Sequence, residues 1–427
     1  MSKTIHPNRW AILAAACVLV FCTGSIYAFS VFRDALADKF TLDQTMTAYS
    51  INSGIAPIPM ILGGLYVDRG KSKWMALLGG VLFGGGWILS GVAPNATVLI
   101  ISYGIIAGLG QGMAYAAGLN NTLRFFPDRR GLAAGLITGA NGGATIIMAP
   151  VAQRLLDSQG VGTMLIILGS VFIAVGIIVA IIIKPAPADY APPGAKAGAG
   201  AAAAPPPIAN VGWRQMLATP MFWLIFAMFV CGAFAGLMIV ANASPIAQGM
   251  YAYSPQGAAT FVSLYAFASL AGRIGFGMLS DRLGRIRTVQ VIFSAATVGL
   301  LVLVLGKGDH NAVALSIGLL GIGTAFGGIL GVMPTLVMSQ FGPKNQGINY
   351  GIAFSAYAVA AIFAPRIGAS IGEANDGDFS RAFFIAIGAA VAGIVLAVAY
   401  ERIARAREVR QAAQERASAG GGEPTAT

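Results

Sequence analysis

The sequence predicts an all-α integral membrane protein: twelve transmembrane helices arranged as two pseudo-symmetric six-helix bundles. Three observations predict it. The 427-residue chain is 56% hydrophobic and only 10% charged, against about 25% charged for a soluble domain. Its apolar runs are about 20 residues long, which suits a hydrocarbon core roughly 30 Å thick. Motifs of the first half also recur in the second at nearly one offset.

The runs fall at about 10–32, 45–67, 74–92, 96–123, 131–153, 162–184, 219–240, 256–280, 286–306, 312–339, 346–371 and 379–400. The first follows Lys3 and Arg9. It exceeds the roughly 7–15 residues of a signal-peptide core, so it reads as an uncleaved helix. With the N-terminus placed in the cytoplasm, cytoplasmic segments hold 20 Lys and Arg and the outer loops hold 6. That bias puts both termini inside. The expected setting is multi-pass in the plasma membrane, the inner membrane of a bacterium.

Four segments follow: an N-terminal bundle (1–184), a linker (185–213), a C-terminal bundle (214–400) and a tail (401–427). The linker is mostly Pro, Ala and Gly; it cannot bury a core and is expected to be flexible and cytoplasmic. The tail alternates Arg, Ala and Glu, which suggests a helix that frays into "SAGGGEPTAT".

A net charge of +11 does not indicate nucleic acid, because the basic residues lie in short loops between apolar runs and not on one face. Cys17, Cys22 and Cys231 fall inside apolar runs, which reads as small buried hydrophobes and not a disulfide framework. His6 and His310 lie outside the runs, so no metal cluster and no metal or other cofactor is expected. Strings such as "GLGQG" sit within helices and not after strands, which gives a dinucleotide enzyme no support.

The repeat is read from two loops. "GGLYVDRGKSK" (63–73) matches "GFGMLSDRLGRIR" (275–287): Gly64 and Asp68 align with Gly277 and Asp281 at an offset of 213. "RFFPDRRGLAAG" (124–135) matches "SQFGPKNQGINYG" (339–351): Gly131 aligns with Gly347 at an offset of 216. Parallel six-helix halves are a transporter architecture with the site between them near the midplane.

"SDRLGRIR" closely resembles the signature loop of the major facilitator superfamily; the first-half copy lacks one residue between Arg69 and Gly70. "RFFPDRRGLAAG" and "TGSIYAFSVF" resemble the oxalate–formate antiporter family and neighbouring monocarboxylate porters. The resemblance covers all but the linker and tail. It implies the major facilitator fold and alternating access, with two halves rocking about a central carboxylate site. Asp68, Arg69, Asp281 and Arg282 end helices 2 and 8. They serve either as topology anchors or as a gate that clasps helix ends, and the resemblance favours the gate.

Arg273 lies eight residues before Asp281 in helix 8, about 12 Å along the axis. Helical side chains lean toward the N-terminus, here the outer side, so its head is aimed at the midplane. An arginine there costs roughly 2.5–3.5 kcal/mol. All sixteen Asp and Glu fall in loops, tails or helix ends. An unpaired guanidinium in a wet cavity attracts an anion, and its planar fork suits a carboxylate. The alternative is satisfaction by backbone carbonyls or neighbouring polar side chains.

Tyr265 and Ser269 share the Arg273 face of helix 8. Tyr27 and Tyr115 match positions where the antiporter family has pore tyrosines. Tyr357, Asn141 and Asn242 complete the candidate binding set; plain packing is the competing reading for each. Asn52 and Gln111 suit hydrogen bonds between helices. The antiporter family carries a lysine in mid-helix 11 where this chain has Tyr357. Arg366 stands nine residues further out, about 13 Å along the helix.

One cation balances one carboxylate. The sequence therefore points to a monocarboxylate such as lactate or formate, moved with a proton or in exchange for a counter-anion, by a monomer in the bilayer. Animal porters that resemble this chain pair an aspartate with the helix 8 arginine; Ser269 stands four residues before Arg273 here. An oxalate–formate type antiporter is the alternative, and a non-transporting membrane carboxylate sensor is the alternative of another class.

Overall fold

A computed structural model describes residues 8–187, 190, 210–308 and 310–420. Most of the linker, and residues 421–427 of the tail, lie outside the described residues, and so does its expected flexibility. Among the described residues the regular elements are all helices, with no strand.

The first span is α1 (Arg9–Gly24), a 3-10 turn (Ser25–Ala28) and α2 (Phe29–Lys39). Pro57 has no N–H to donate and divides the second into α3 (Leu42–Ile55) and α4 (Pro57–Asp68). The third is α5 (Ser72–Gly91). The fourth runs through α6 (Ala96–Leu99), a π-helical stretch (Ile100–Ala107) and α7 (Gly108–Phe125). Next is α8 (Arg130–Ile182), 53 residues interrupted at Gly160, whose φ of 77° suits a residue without Cβ. Two of the expected spans, 131–153 and 162–184, therefore meet at one glycine joint.

After the linker come α9 (Trp213–Leu217), α10 (Pro220–Gly249), α11 (Pro255–Leu283), α12 (Arg285–Leu305), α13 (Ala312–Phe341), α14 (Gln346–Ala374) and α15 (Ser380–Gly420). Among the described residues eleven helices are long and apolar enough to cross a membrane; counting α8 as two restores twelve. The tail stays helical to Gly420, further than its composition suggests. Side-chain oxygens start several helices: Asn8 accepts from Trp10 N at 3.0 Å, Thr41 from Gln44 N at 3.2 Å and Asn311 from Ala314 N at 3.1 Å.

The described ends of the linker are docked. Asn121 Nδ2 donates to the Lys184 carbonyl at 3.0 Å, and Tyr190 packs edge-on to Phe125 at 4.9 Å. At the other end Val211 N donates to the Phe341 carbonyl, and Asn345 and Asn349 donate to the Val211 carbonyl.

The two halves meet along two seams, α4 with α14 and α8 with α11. Each seam closes on the linker face through a glycine pair. A Cβ on Gly64 would overlap the Gly347 carbonyl, and one on Gly131 would overlap that of Gly277. The repeat relates these pairs to each other. Toward the opposite face contact between α8 and α11 gives way to exposed side chains. The α8 face that carries Gly135, Gly139 and Gly142 continues into Ile146 and Ile147, which are 54% and 56% exposed. The α11 face that carries Ile274 and Leu270 continues into Phe267, which is 61% exposed. We read this change from contact to exposure along α8 and α11 as a cleft closed on the linker face and open on the other.

Gly64→Ala is expected to overpack its seam at a cost of about 1–3 kcal/mol. Gly85, with nothing within 4 Å of its would-be Cβ, is the control. Thermal unfolding in detergent should show a lower midpoint for Gly64→Ala and none for Gly85→Ala; equal midpoints would contradict the seam.

Candidate functional site between the bundles

The cleft floor is built where α8, α11 and α13 cross. Gly327 and Gly331 of α13 press against the α11 backbone from Ser269 to Arg273, and Gly135 of α8 presses on the Arg273 carbonyl. Arg273 is thereby fixed at the seam, 6% exposed. Its Nη1 donates to the Thr138 carbonyl of α8. Its Nε has no acceptor, and among the described residues no carboxylate pairs with it. The Thr138 bond is the backbone-carbonyl satisfaction that the sequence leaves as the alternative, met for one nitrogen of the group, and the head is buried where a wet cavity is expected.

Tyrosines crowd this charge. Tyr115, Tyr265, Tyr350 and Tyr357 all lie within electrostatic reach of Arg273. Tyr357 is also within reach of Tyr27 and Tyr49. Tyr27 is 41% exposed, at the 3-10 turn of the first span. Phe354 ties the group together: it stacks on Tyr357 at 5.0 Å and contacts Tyr115 at 6.3 Å and Tyr350 at 5.9 Å. The Tyr350 hydroxyl is buried without a partner, whereas the Tyr265 hydroxyl donates to the Gly236 carbonyl at 2.8 Å. Ser269 is buried one turn from Arg273.

The other sequence candidates lie apart. Asn141 faces α1, donating to the Val20 carbonyl at 3.2 Å and to Thr23 Oγ1 at 3.4 Å. Asn242 ties α10 to α14, donating to the Met238 and Pro365 carbonyls at 2.8 and 3.3 Å. It borders a separate cavity of about 290 Å³ with Pro245, Glu373 and Phe379. Asn52 donates to the Tyr103 carbonyl at 2.6 Å, and Gln111 Oε1 has no partner. Arg366 is exposed. Among the described residues no cluster of His, Cys, Asp and Glu could hold a metal.

On the linker face the helix-end carboxylates cross between bundles. Asp68 accepts from Gly347 N and Ile348 N at 2.8 and 2.9 Å, at the start of α14. Asp281 accepts from Gly131 N and Leu132 N at 2.8 and 3.0 Å, at the start of α8. Each carboxylate thus satisfies free N–H groups at the positive end of a helix from the other half. The guanidinium beside Asp68 is Arg124, which also donates to the Lys344 carbonyl at 3.2 Å across the seam. Arg130 and Arg285 lie near Asp281. Arg69 and Arg282 are exposed and form no ion pair among the described residues.

Four residues at the floor escape sequence reasoning, Thr138, Gly142, Tyr350 and Phe354, and so does Tyr49, which stacks on Phe29 of the first span. Thr138 acts through its carbonyl, which every residue type has. Phe354 had a signal, standing three positions before Tyr357 on the same helical face.

A sequence profile described as Major Facilitator Superfamily matches residues 9–365. The chain belongs to the Major Facilitator Superfamily. Among similar members, the Escherichia coli protein named as the uncharacterized MFS-type transporter YhjX is 27% identical over 358 residues, 83% of this chain and 86% of that one. The oxalate:formate antiporter of Oxalobacter formigenes is 28% identical over 394 residues, 90% of this chain and 89% of that one. The superfamily transporter FucP, solved in the outward conformation, is 15% identical, with a TM-score of 0.69 over 91% of this chain and 98% of that one. The superfamily's membrane-transport fold and the paired seams thus describe one molecule.

Asp281→Asn should weaken the α8 cap by about 1.5–3 kcal/mol, the range for a hydrogen bond to a charged group. In a background without native cysteines, maleimide labelling of Ser280→Cys, a buried site, should quicken severalfold when Asp281→Asn is added. Unchanged labelling would contradict a clasp.

Proposed function

We propose that this superfamily member is a secondary active transporter of small organic monocarboxylates, such as lactate or formate, working by alternating access. The observation that carries the reading is Arg273: a cation enclosed at the bundle seam with one neutral acceptor and no carboxylate among the described residues. A buried unpaired charge is costly, and a carboxylate entering from the cleft relieves that cost. Tyr27, Tyr115 and Tyr357 supply hydroxyls around it, with Ser269 and Tyr265 beside it on α11; Tyr265 has its hydroxyl engaged and supports by packing. Asn141 and Asn242 act through helix contacts in this state. Asp68 and Asp281 hold the linker face shut, with Arg124 aiding Asp68; Arg69 and Arg282 serve as positive-inside anchors on what we read as the cytoplasmic face of a plasma membrane.

The single cation favours one carboxylate over two. Similarity to the oxalate:formate antiporter favours a second reading, a dicarboxylate/monocarboxylate exchanger. Coupling follows from the same charge. Either the acid carries its own proton, or anions exchange, since the empty site's unpaired charge penalises the empty return.

The test is a panel of radiolabelled lactate, formate, acetate and oxalate in liposomes holding the purified protein, with and without a pH gradient and internal anion. The expected result is uptake of a monocarboxylate, lost in Arg273→Gln and partly kept in Arg273→Lys, with both variants inserted normally. Saturable oxalate uptake would favour the second reading. Full uptake by Arg273→Gln would overturn both.

A further inference from the structure

We infer that Gly142 of α8 is the seat that positions Arg273, leaving the Nε–Nη2 edge of its fork to receive the carboxylate. The inference rests on the carboxylate reading and adds which atoms bind and what holds them.

A Cβ on Gly142 would overlap Nη1 and Cζ of Arg273 and stand 2.8 Å from Nη2. Three atoms of one planar group so close to one point place that group against the helix backbone. A side chain at position 142 would force the head to shift from this place. One turn earlier on α8, the Thr138 carbonyl takes Nη1. Neighbouring polar side chains do not compete, because the Thr138 hydroxyl turns back to the Ala134 carbonyl at 2.8 Å and the Asn141 amide goes to α1.

Nη1 is thus engaged, whereas Nε is buried away from solvent without an acceptor, so a carboxylate gains this edge only by displacing the side chains that cover it. The N–H groups of Nε and Nη2 point the same way, in the spacing that a carboxylate's two oxygens match. End-on pairing through Nη1 and Nη2 would compete with Thr138; side-on pairing leaves that bond intact. Thr138 and Gly142 belong to the first bundle and Arg273 to the second. The seat therefore exists only while α8 and α11 are together, the state in which Asp281 caps α8. Parting of this seam lifts the fork off its seat and changes affinity on the other side of the membrane.

The test uses the full-length protein and Gly142→Ala, Arg273→Lys and their double variant. Gly143→Ala is the control, since the atoms nearest its Cβ would belong to the Leu270 side chain, at 3.3 Å, and not to Arg273. Thermal unfolding of the unliganded proteins reads the coupling of the two positions. Lysine has no planar fork, so the Gly142→Ala loss should shrink sharply beside Arg273→Lys. Should Gly142→Ala fail to accumulate in the membrane, its rescue by Arg273→Lys reads the same coupling.

In liposomes, Gly142→Ala should raise the half-saturation for radiolabelled formate or lactate by about tenfold from the open side, as expected when a charge-assisted pair is misplaced. Gly143→Ala should match the unmodified protein. Additive thermal shifts, absence of rescue, or unchanged half-saturation in Gly142→Ala would overturn the seat. Coupling in a protein that takes up none of these acids would uphold the seat and overturn the carboxylate function.

Discussion

A guanidinium cannot shed its proton inside a protein and carries five N–H donors that need acceptors. Arg273 takes that requirement into an apolar seam, where placing it costs roughly 2.5–3.5 kcal/mol. The surrounding helices answer it in part. The Thr138 carbonyl accepts one bond, and bare backbone at Gly142 makes room for the head. Full neutralisation is left to something that arrives from the cleft. The local burial that makes the charge expensive when alone also makes it a strong attractor for an anion, since attraction grows as water is excluded.

The repeat explains how such a site is opened and closed. Both seams use the same parts: a glycine pair for close approach and an aspartate that caps a helix of the opposite half. The caps are hydrogen-bonded but small, so they hold one face shut without fusing the bundles. The binding charge does not obey this symmetry. The repeat places Met60 where the second half has Arg273, at the same offset of 213. A symmetric gate therefore surrounds an asymmetric site with its cation on one side, which is the physical reason to favour an acid with a single carboxylate.

Much of this was legible in the sequence because apolar length and internal repetition are direct consequences of a bilayer and a duplication. The twelve spans fall close to their expected places, and the joint at Gly160 accounts for the merged helix. Arg273 stood out because it lies far from either end of its apolar run, where charge is rare. What stayed hidden acts through backbone or through distant approach. The partners of Asp68 and Asp281 are amide N–H groups, and Thr138 offers a carbonyl; neither leaves a mark on residue type. Arg124 lies 56 residues from Asp68, so adjacency favoured Arg69 in its stead. Asn242 showed the polar character of a site residue, yet its amide is spent on the α10–α14 seam.

The account stands on a carboxylate meeting Arg273. Diffraction from crystals of a variant without Cys17, Cys22 and Cys231, whose thiols bromoacetate would alkylate with loss of bromide, grown with bromoacetate and read by the bromine signal, tests this most directly. The account predicts the carboxylate on the guanidinium, both oxygens about 3 Å from its nitrogens, with the bromine in the cleft near Tyr27, Tyr115 and Tyr357. A bound bromoacetate elsewhere, with Arg273 still held by Thr138 alone, would contradict it.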